Sequence, residues 1–346
     1  MASLNAQNRL TQPFIANSKI IFTLPLGGKI RRGCVILTGN VVLSAGTVNG
    51  VAQGEGAPTN LISRIIVTAT PVGGSRYPGG KIVDAGTRSL LRYAAYQHDG
   101  RLILEQSGST LGGGANGTYP IYFSVPIYWA DDVLRNGIAT ALNTDDATVV
   151  QGGTYASVQV EVDTANVAAC LTGNNATVDY SGLAVQWVDD RVAVPGDTVT
   201  RYQESHEVLI AAAQKRMQDP AMPQDGAFES ISILAEQGAA LTVADTLLNR
   251  VTISGPTLDF DKYSGDIRQC MYDDEWLNPA QTAAGMYFID FTDGALTNTV
   301  QANGLQFQFD VNNPSGANLD SLDVFTRRVF PPMPAPKAAT SAKSGS

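Results

Sequence analysis

The chain has 346 residues, a formal net charge of −9 and only 16% charged side chains. That length holds about two domains, each with a core of its own, and the acidic balance excludes general nucleic-acid binding, which needs a basic face to displace counterions. Charge is scarcer than the roughly 25% usual in soluble chains, so the surface is either one that neighbours cover or that of an extracellular β protein with polar, uncharged loops.

Residues 1–13 are polar and unpatterned and read as an N-terminal arm rather than a strand. Met1 to Arg9 lacks the apolar segment of a secretory signal, and no run reaches the length of a transmembrane helix. The sequons at Asn116 and Asn175 therefore carry little weight. From Phe14 to Leu26 the pattern turns β-like, centred on Ile20–Leu24 and stopped by Pro25 and Gly27-Gly28. The basic cluster Lys29-Ile-Arg-Arg32 is flanked by glycines and has no aromatic interleaving, so it reads as a turn entering a strand. Cys34–Thr38 and Val41–Leu43 continue in β mode, Gly46 to Pro58 is a glycine-rich loop, and Leu61–Thr70 is a strand rich in β-branched residues.

Past Pro71, Gly74–Lys81 resembles a phosphate-binding loop until its spacing is checked. Ser75 stands where the first glycine is needed, and Ile82 follows the lysine where Ser or Thr should. It reads as a plain loop. Asp84–Tyr96 then predicts a short helix, capped by Asp84, with Leu90, Leu91 and Ala94 on one side.

This order recurs. Leu61-Ile-Ser-Arg-Ile-Ile-Val67 returns 186 residues later as Leu247-Leu-Asn-Arg-Val-Thr-Ile253, followed by a break at Pro256 and a predicted helix over Asp266–Trp276. Tyr119–Val125 is echoed by Gly285–Phe291, aligning Tyr122 with Tyr287, and the alternating Val158–Asp163 by Leu305–Asp310. Four echoes in one order indicate an internal duplication, with longer loops in the first copy at Gln106–Thr118 and Val133–Gly153. The copies meet at Val194-Pro-Gly-Asp197, a turn signal. His206–Gln214, open to strand or helix on its own pattern, is read as a strand by analogy with Ser18–Leu24. The last strand is Ser321–Thr326, and a Pro-rich, low-complexity tail follows. The predicted units are an arm (1–13), two β-domains (14–196 and 197–331) and a tail (332–346).

The chemistry on offer is thin. His98 sits in a turn and His206 in an apolar run, too few histidines for a cupin-type metal site. No Gly-x-Ser-x-Gly elbow supports a serine triad. The acidic doublets Asp131-Asp132, Asp145-Asp146, Asp189-Asp190 and Asp273-Asp274-Glu275 lack the alternating spacing of a calcium loop. They read as helix caps or solvated loop carboxylates, Asp131 and Asp273 as caps at helix starts. Trp129, Trp187 and Trp276 read as core or interface residues rather than a sugar platform. Cys34, Cys170 and Cys270 are far apart and odd in number, neither a disulfide framework nor a metal set. They read as small buried hydrophobes of a chain folded in a reducing cytoplasm. No catalytic, cofactor-binding or metal-ligating residue is assigned, and no enzyme activity is expected.

Tandem β-domains, each with a short helix after a mid-domain strand, little charge, a polar arm and long first-copy loops resemble the double jelly-roll major capsid proteins of tailless icosahedral viruses, the lineage of internal-membrane phages and the adenovirus hexon. The resemblance spans about residues 14–330 and rests on architecture, without a short diagnostic motif. It implies an all-β fold of two tandem eight-stranded jelly-roll barrels with short helices in the connections. It further implies pseudo-hexagonal homotrimers tiling an icosahedral shell, contacts with neighbouring trimers and with minor capsid and vertex proteins, and an internal lipid membrane met by residues 1–13. The chain would assemble in the host cytoplasm and reside in the virion capsid, with no specific nucleic acid and no small-molecule substrate. The competing readings are a secreted carbohydrate-binding or glycoside-active β-sandwich, and a minor capsid or spike protein of the same fold.

Overall fold

The computed structural model describes residues 6–44, 61–97, 117–130, 142–144, 154–165, 177–192, 198–238, 242–256, 258–273, 285–292, 299–316 and 319–330. In the first half the strands are β1 (Ala6–Pro13), β2 (Lys19–Thr23), β3 (Lys29–Ser44), β4 (Ile62–Pro71), β5 (Gly80–Gly86), β6 (Gly117–Tyr128), the two-residue β7 (Leu142–Asn143), β8 (Tyr155–Thr164) and β9 (Thr177–Val192), with helix α1 (Thr87–Gln97) between β5 and β6. The second half comprises β10 (Thr200–Ile210), β11 (Gln214–Gln218), β12 (Ala227–Gln237), β13 (Thr242–Val243), β14 (Leu248–Ser254), β15 (Asp259–Tyr263), helix α2 (Ser264–Asp273), β16 (Met286–Asp290), β17 (Val300–Gln301), β18 (Gln306–Val311) and β19 (Asp320–Phe330).

The pairing order is the same in both halves. The first half pairs as β1-β9-β3-β6 and β2-β8-β4-β5; the second pairs as β10-β19-β12-β16 and β11-β18-β14-β15. This is the strand order of a jelly roll, written twice. Each half therefore sandwiches one alternating, half-buried sheet against another. In β8, for example, Val158, Val160 and Val162 are fully buried while Gln159 between them is exposed. The halves join where β10 runs parallel to β5, pairing Gln203 with Val83 and Glu204 with Asp84.

Register makes the duplication residue-specific. Ile65 pairs with Val162 in one half and Val251 with Phe309 in the other, which keeps Val158 aligned with Leu305. Bulges fall at matching places, after Ile30 on β3 and after Phe228 on β12, so Arg31 corresponds to Glu229 and Asp190 to Arg327. The helices correspond from Thr87 and Ser264 onward: Leu90 matches Ile267 and Ala94 matches Met271, all four buried. One alignment moves. Val125, not Tyr122, matches Tyr287, because Val125 and Tyr287 both point into their cores whereas Tyr122 is exposed.

Three expectations are corrected. Ala6–Pro13 is a strand, not an arm: it pairs antiparallel with β9 from Ala6–Arg191 to Pro13–Ala184. Its polar sequence suits an outer strand and carried no strand signal. Asp84 does not cap α1; it lies inside β5, and the helix begins at Thr87. Asp273 ends α2 rather than starting a helix. Cys34–Thr38 and Val41–Leu43 prove to be one sixteen-residue strand, β3, passing through Gly39 at φ 132°.

Candidate functional site

The most heavily built polar site of the described chain is the seam between the halves. α1 lies against β12 and β19 of the second half, and it is buried on nearly every side, with Leu90 and Ala94 turned to the first-half core and Ser89, Arg92 and Tyr93 buried as well. Tyr93 stacks between Phe325 and Phe288, at 5.2 and 6.0 Å between ring centres. Leu234, Met286, Phe288 and Phe325 of the second half thereby join the core of the first.

Charges are buried among these rings. Arg201 is 1% exposed, and its Nε and Nη2 bond Glu229 at 2.8 and 2.7 Å while Nη1 donates to the Trp129 carbonyl at 3.0 Å. Arg327 meets the same carboxylate at 3.2 Å, donates to the Tyr93 hydroxyl and places its guanidinium 5.0 Å from that ring. Complete burial pushes the Arg327 guanidinium down to about 9. Beside them Arg88 reaches Glu236 at 2.5 Å and the Ser89 hydroxyl donates to Asp323. Burial pushes Glu236 up to about 7, opposed by Arg88 and reinforced by Asp323 and Glu207. Burial likewise raises Asp323. At the sheet junction the Gly86 amide donates to Ser205 Oγ at 2.8 Å, and Gln203 Nε2 donates to the Tyr128 carbonyl at 3.0 Å. Ion pairs at this depth fix geometry more than they add stability. What the arrangement does chemically is join the two halves through buried, hydrogen-bonded charges.

Arg64 and Arg250, the repeated arginines, both reach diagonally to the next strand. Arg64 Nε bonds Asp84 at 2.5 Å, and Arg250 bonds Asp261, each acid lying two residues before its arginine's register partner, Gly86 or Tyr263. Lys81 adds a second contact to Asp84 at 2.7 Å; these two cations hold the Asp84 carboxyl below its ordinary value against the opposing effect of burial. The first pair adjoins the seam; the second lies in the open sheet of the second half.

Other residues singled out from sequence fall elsewhere. Trp129 and Trp187 are fully buried, edge to face at 6.4 Å, as core residues. His206 lies on strand β10 with Nε2 2.7 Å from Asp219 Oδ2. Gly74–Gly79 forms the turn leading into β5, whose first residues are Gly80 and Lys81. Asp189-Asp190 is a correction, being neither cap nor loop but mid-strand in β9. Asp189 is buried, accepting from Trp187 Nε1 at 2.9 Å and Arg191 Nε at 2.7 Å, and Asp190 meets Arg31 at 2.5 Å. Cys270 is exposed and Cys34 half-buried, not the buried hydrophobes expected. Cys170, His98, Trp276, Asp131, Asp132, Asp145, Asp146, Asp274, Glu275, the loops around 46–58 and 106–116, the 194–197 junction and the 332–346 tail lie outside the described residues. Among the described residues no cluster of His, Cys, Asp or Glu is disposed to hold a metal ion, and no helix is long and apolar enough to cross a membrane. The seam residues themselves left no sequence signal, because Arg201, Glu229 and Arg327 look like ordinary solvated charges until the halves are packed.

Solved structures share the fold. The crystal structure of the STIV MCP superposes with a TM-score of 0.69 at 12% identity, covering 95% of this chain and 97% of that one. PBCV-1 VP54 gives 0.60 at 10% identity over 95% and 94%. The major capsid protein P2 from bacteriophage PM2 gives 0.54 at 12% identity over 94% and 98%. The chain is thus similar to major capsid proteins in fold along nearly its whole length, and it has the double jelly-roll architecture. No protein-family model matches it, and no curated protein matches it by sequence.

Proposed function

We propose that this protein is the major structural subunit of an icosahedral virus shell, residing in the virion and assembled in the host cytoplasm. Residues 6–196 and 197–331 would be its two eight-stranded jelly rolls, with Ala6–Pro13 as the first strand of the first. One observation carries the reading: a duplicated jelly-roll order, shared over about 95% of the chain with major capsid proteins. A fused pair of similar barrels lets three chains present six similar units around a threefold axis, so trimers can tile like hexamers. The buried seam supports this, since a tile must hold its two units at a fixed angle. Minor capsid and vertex proteins are the further partners of such a shell. An internal membrane would be met by the chain ahead of Ala6, since Ala6–Pro13 is committed to β9.

Light scattering of the purified protein combined with negative-stain imaging tests the proposal. Trimers of hexagonal outline are expected. A stable monomer at the concentrations of assembly would overturn it.

A further inference from the structure

Matching elements of the two halves differ sharply in exposure. β12 is buried at ten successive positions, Ala227 to Glu236, on both faces, because the first half covers its outward face. Its counterpart β3 leaves Arg32 and Asn40 exposed and Arg31, Cys34 and Thr38 half-exposed. α1 is buried on nearly all sides, whereas α2 exposes Gly265, Asp266, Gln269 and Cys270, the counterparts of Arg88, Ser89, Arg92 and Tyr93 that grip the second half. Ile82–Ala85 of β5 are buried, but Asp259, Asp261, Lys262 and Tyr263 of β15 are exposed. In each of these three pairs the element lining the seam is covered and its counterpart is the more exposed.

We infer that a second copy of this chain docks its β15 and α2 onto the outward face of β1-β9-β3-β6, repeating between chains the contact that β5 and α1 make with β10-β19-β12 within one chain. The inference rests on the shell-subunit reading and names the surfaces through which subunits meet. The shared register specifies the contacts. Phe260 would lie beside Gln7 and Asp261 beside Asn8, as Val83 lies beside Gln203 and Asp84 beside Glu204. Tyr263 would approach Arg9, as Gly86 approaches Ser205. Asp266 would approach Gln186, as Ser89 approaches Asp323. The charges suit the match: Asp259 and Asp266 stand exposed on one surface, with Lys262 between them, and Arg9 and Arg32 on the other. Because the two surfaces differ, the contact is heterologous, the kind that closes into a ring when its rotation divides the full turn evenly.

Cross-linking decides it. Asp266→Cys and Gln186→Cys are made on separate, differently tagged chains whose Cys34, Cys170 and Cys270 are replaced by Ser. The chains are co-expressed and treated with a short bismaleimide. A second pair, Tyr263→Cys with Arg9→Cys, guards against one position disturbing the fold, and each variant is checked for native melting. Links joining 266 to 186 and 263 to 9, absent when either cysteine is missing, are expected in the trimer. Trimers that form but link at neither pair would overturn this contact and leave the shell-subunit reading standing. Chains that remain monomeric would overturn both.

Discussion

Arg327 lies with its guanidinium 5.0 Å over the ring of Tyr93, binding the last strand of the second half to the helix of the first. Its counterpart by register is Asp190, and the partner of each sits at the matching bulge: Glu229 for Arg327, Arg31 for Asp190. One device is thus used twice with the signs exchanged. In the first half the pair is partly solvated; in the second it is sealed beneath α1.

That burial sets the first prediction. Removing Glu229 leaves Arg201 and Arg327 both buried without their shared carboxylate. Breaking a buried pair in this way costs about 3–5 kcal/mol, so Glu229→Ala should lower the melting temperature by several degrees or prevent folding. Asp261→Ala, which breaks the exposed Arg250 pair, should leave the melting temperature unchanged within error. Equal effects in thermal unfolding would show that the buried charges at the seam contribute no more to stability than the surface pair.

The contrast also shows what sequence reveals. The succession of strands and helices along the chain and the duplication were legible because each depends on local periodicity: alternation in β8 and β18, a proline break, then a short apolar-faced helix. β1 was illegible because an outer strand with a polar sequence lacks the apolar alternation that marks strands. The seam was hidden for a different reason. Whether Glu229 is solvated or buried depends on the other half, which ends some thirty residues earlier in sequence, and no local pattern reports that.

Acidity provides the second prediction. Glu236 is pushed up to about 7 by burial, well above its value in an unfolded chain. The folded state therefore holds its proton more tightly than the unfolded state between those two values. By linkage, the contribution is fully present below the unfolded value and lost as pH rises through about 7. Asp323, also raised by burial, acts in the same direction. Melting temperature should fall between about pH 5 and pH 7 and level off above, and Glu236→Gln should flatten that slope. A variant that keeps the full slope would place the titration elsewhere.

The third concerns close packing. Gly33 sits on β3 against the indole of Trp187, and a Cβ there would overlap the ring. Trp187 cannot retreat, being fully buried against Trp129 and tied through Nε1 to Asp189. Overpacking of this kind costs about 1–3 kcal/mol. Gly33→Ala should show that loss in denaturant unfolding, whereas Gly73→Ala, where a Cβ meets nothing within 4 Å, should show none.

The last prediction uses two thiols. Burial pushes the Cys34 thiol up to about 11, which leaves little thiolate at neutral pH, and thiolate is the reactive form. Cys270 is exposed on α2. Iodoacetamide at pH 7.5 should therefore modify Cys270 many times faster than Cys34 in the separated subunit, read by peptide mass spectrometry. Both residues lie on the surfaces inferred to meet, Cys270 as the counterpart of the buried Tyr93 and Cys34 on the outward face of β3. Assembly should therefore slow Cys270 labelling sharply, to a rate nearer that of Cys34. Labelling of Cys270 at an unchanged rate in the assembled protein would show that α2 stays uncovered and that subunits meet elsewhere.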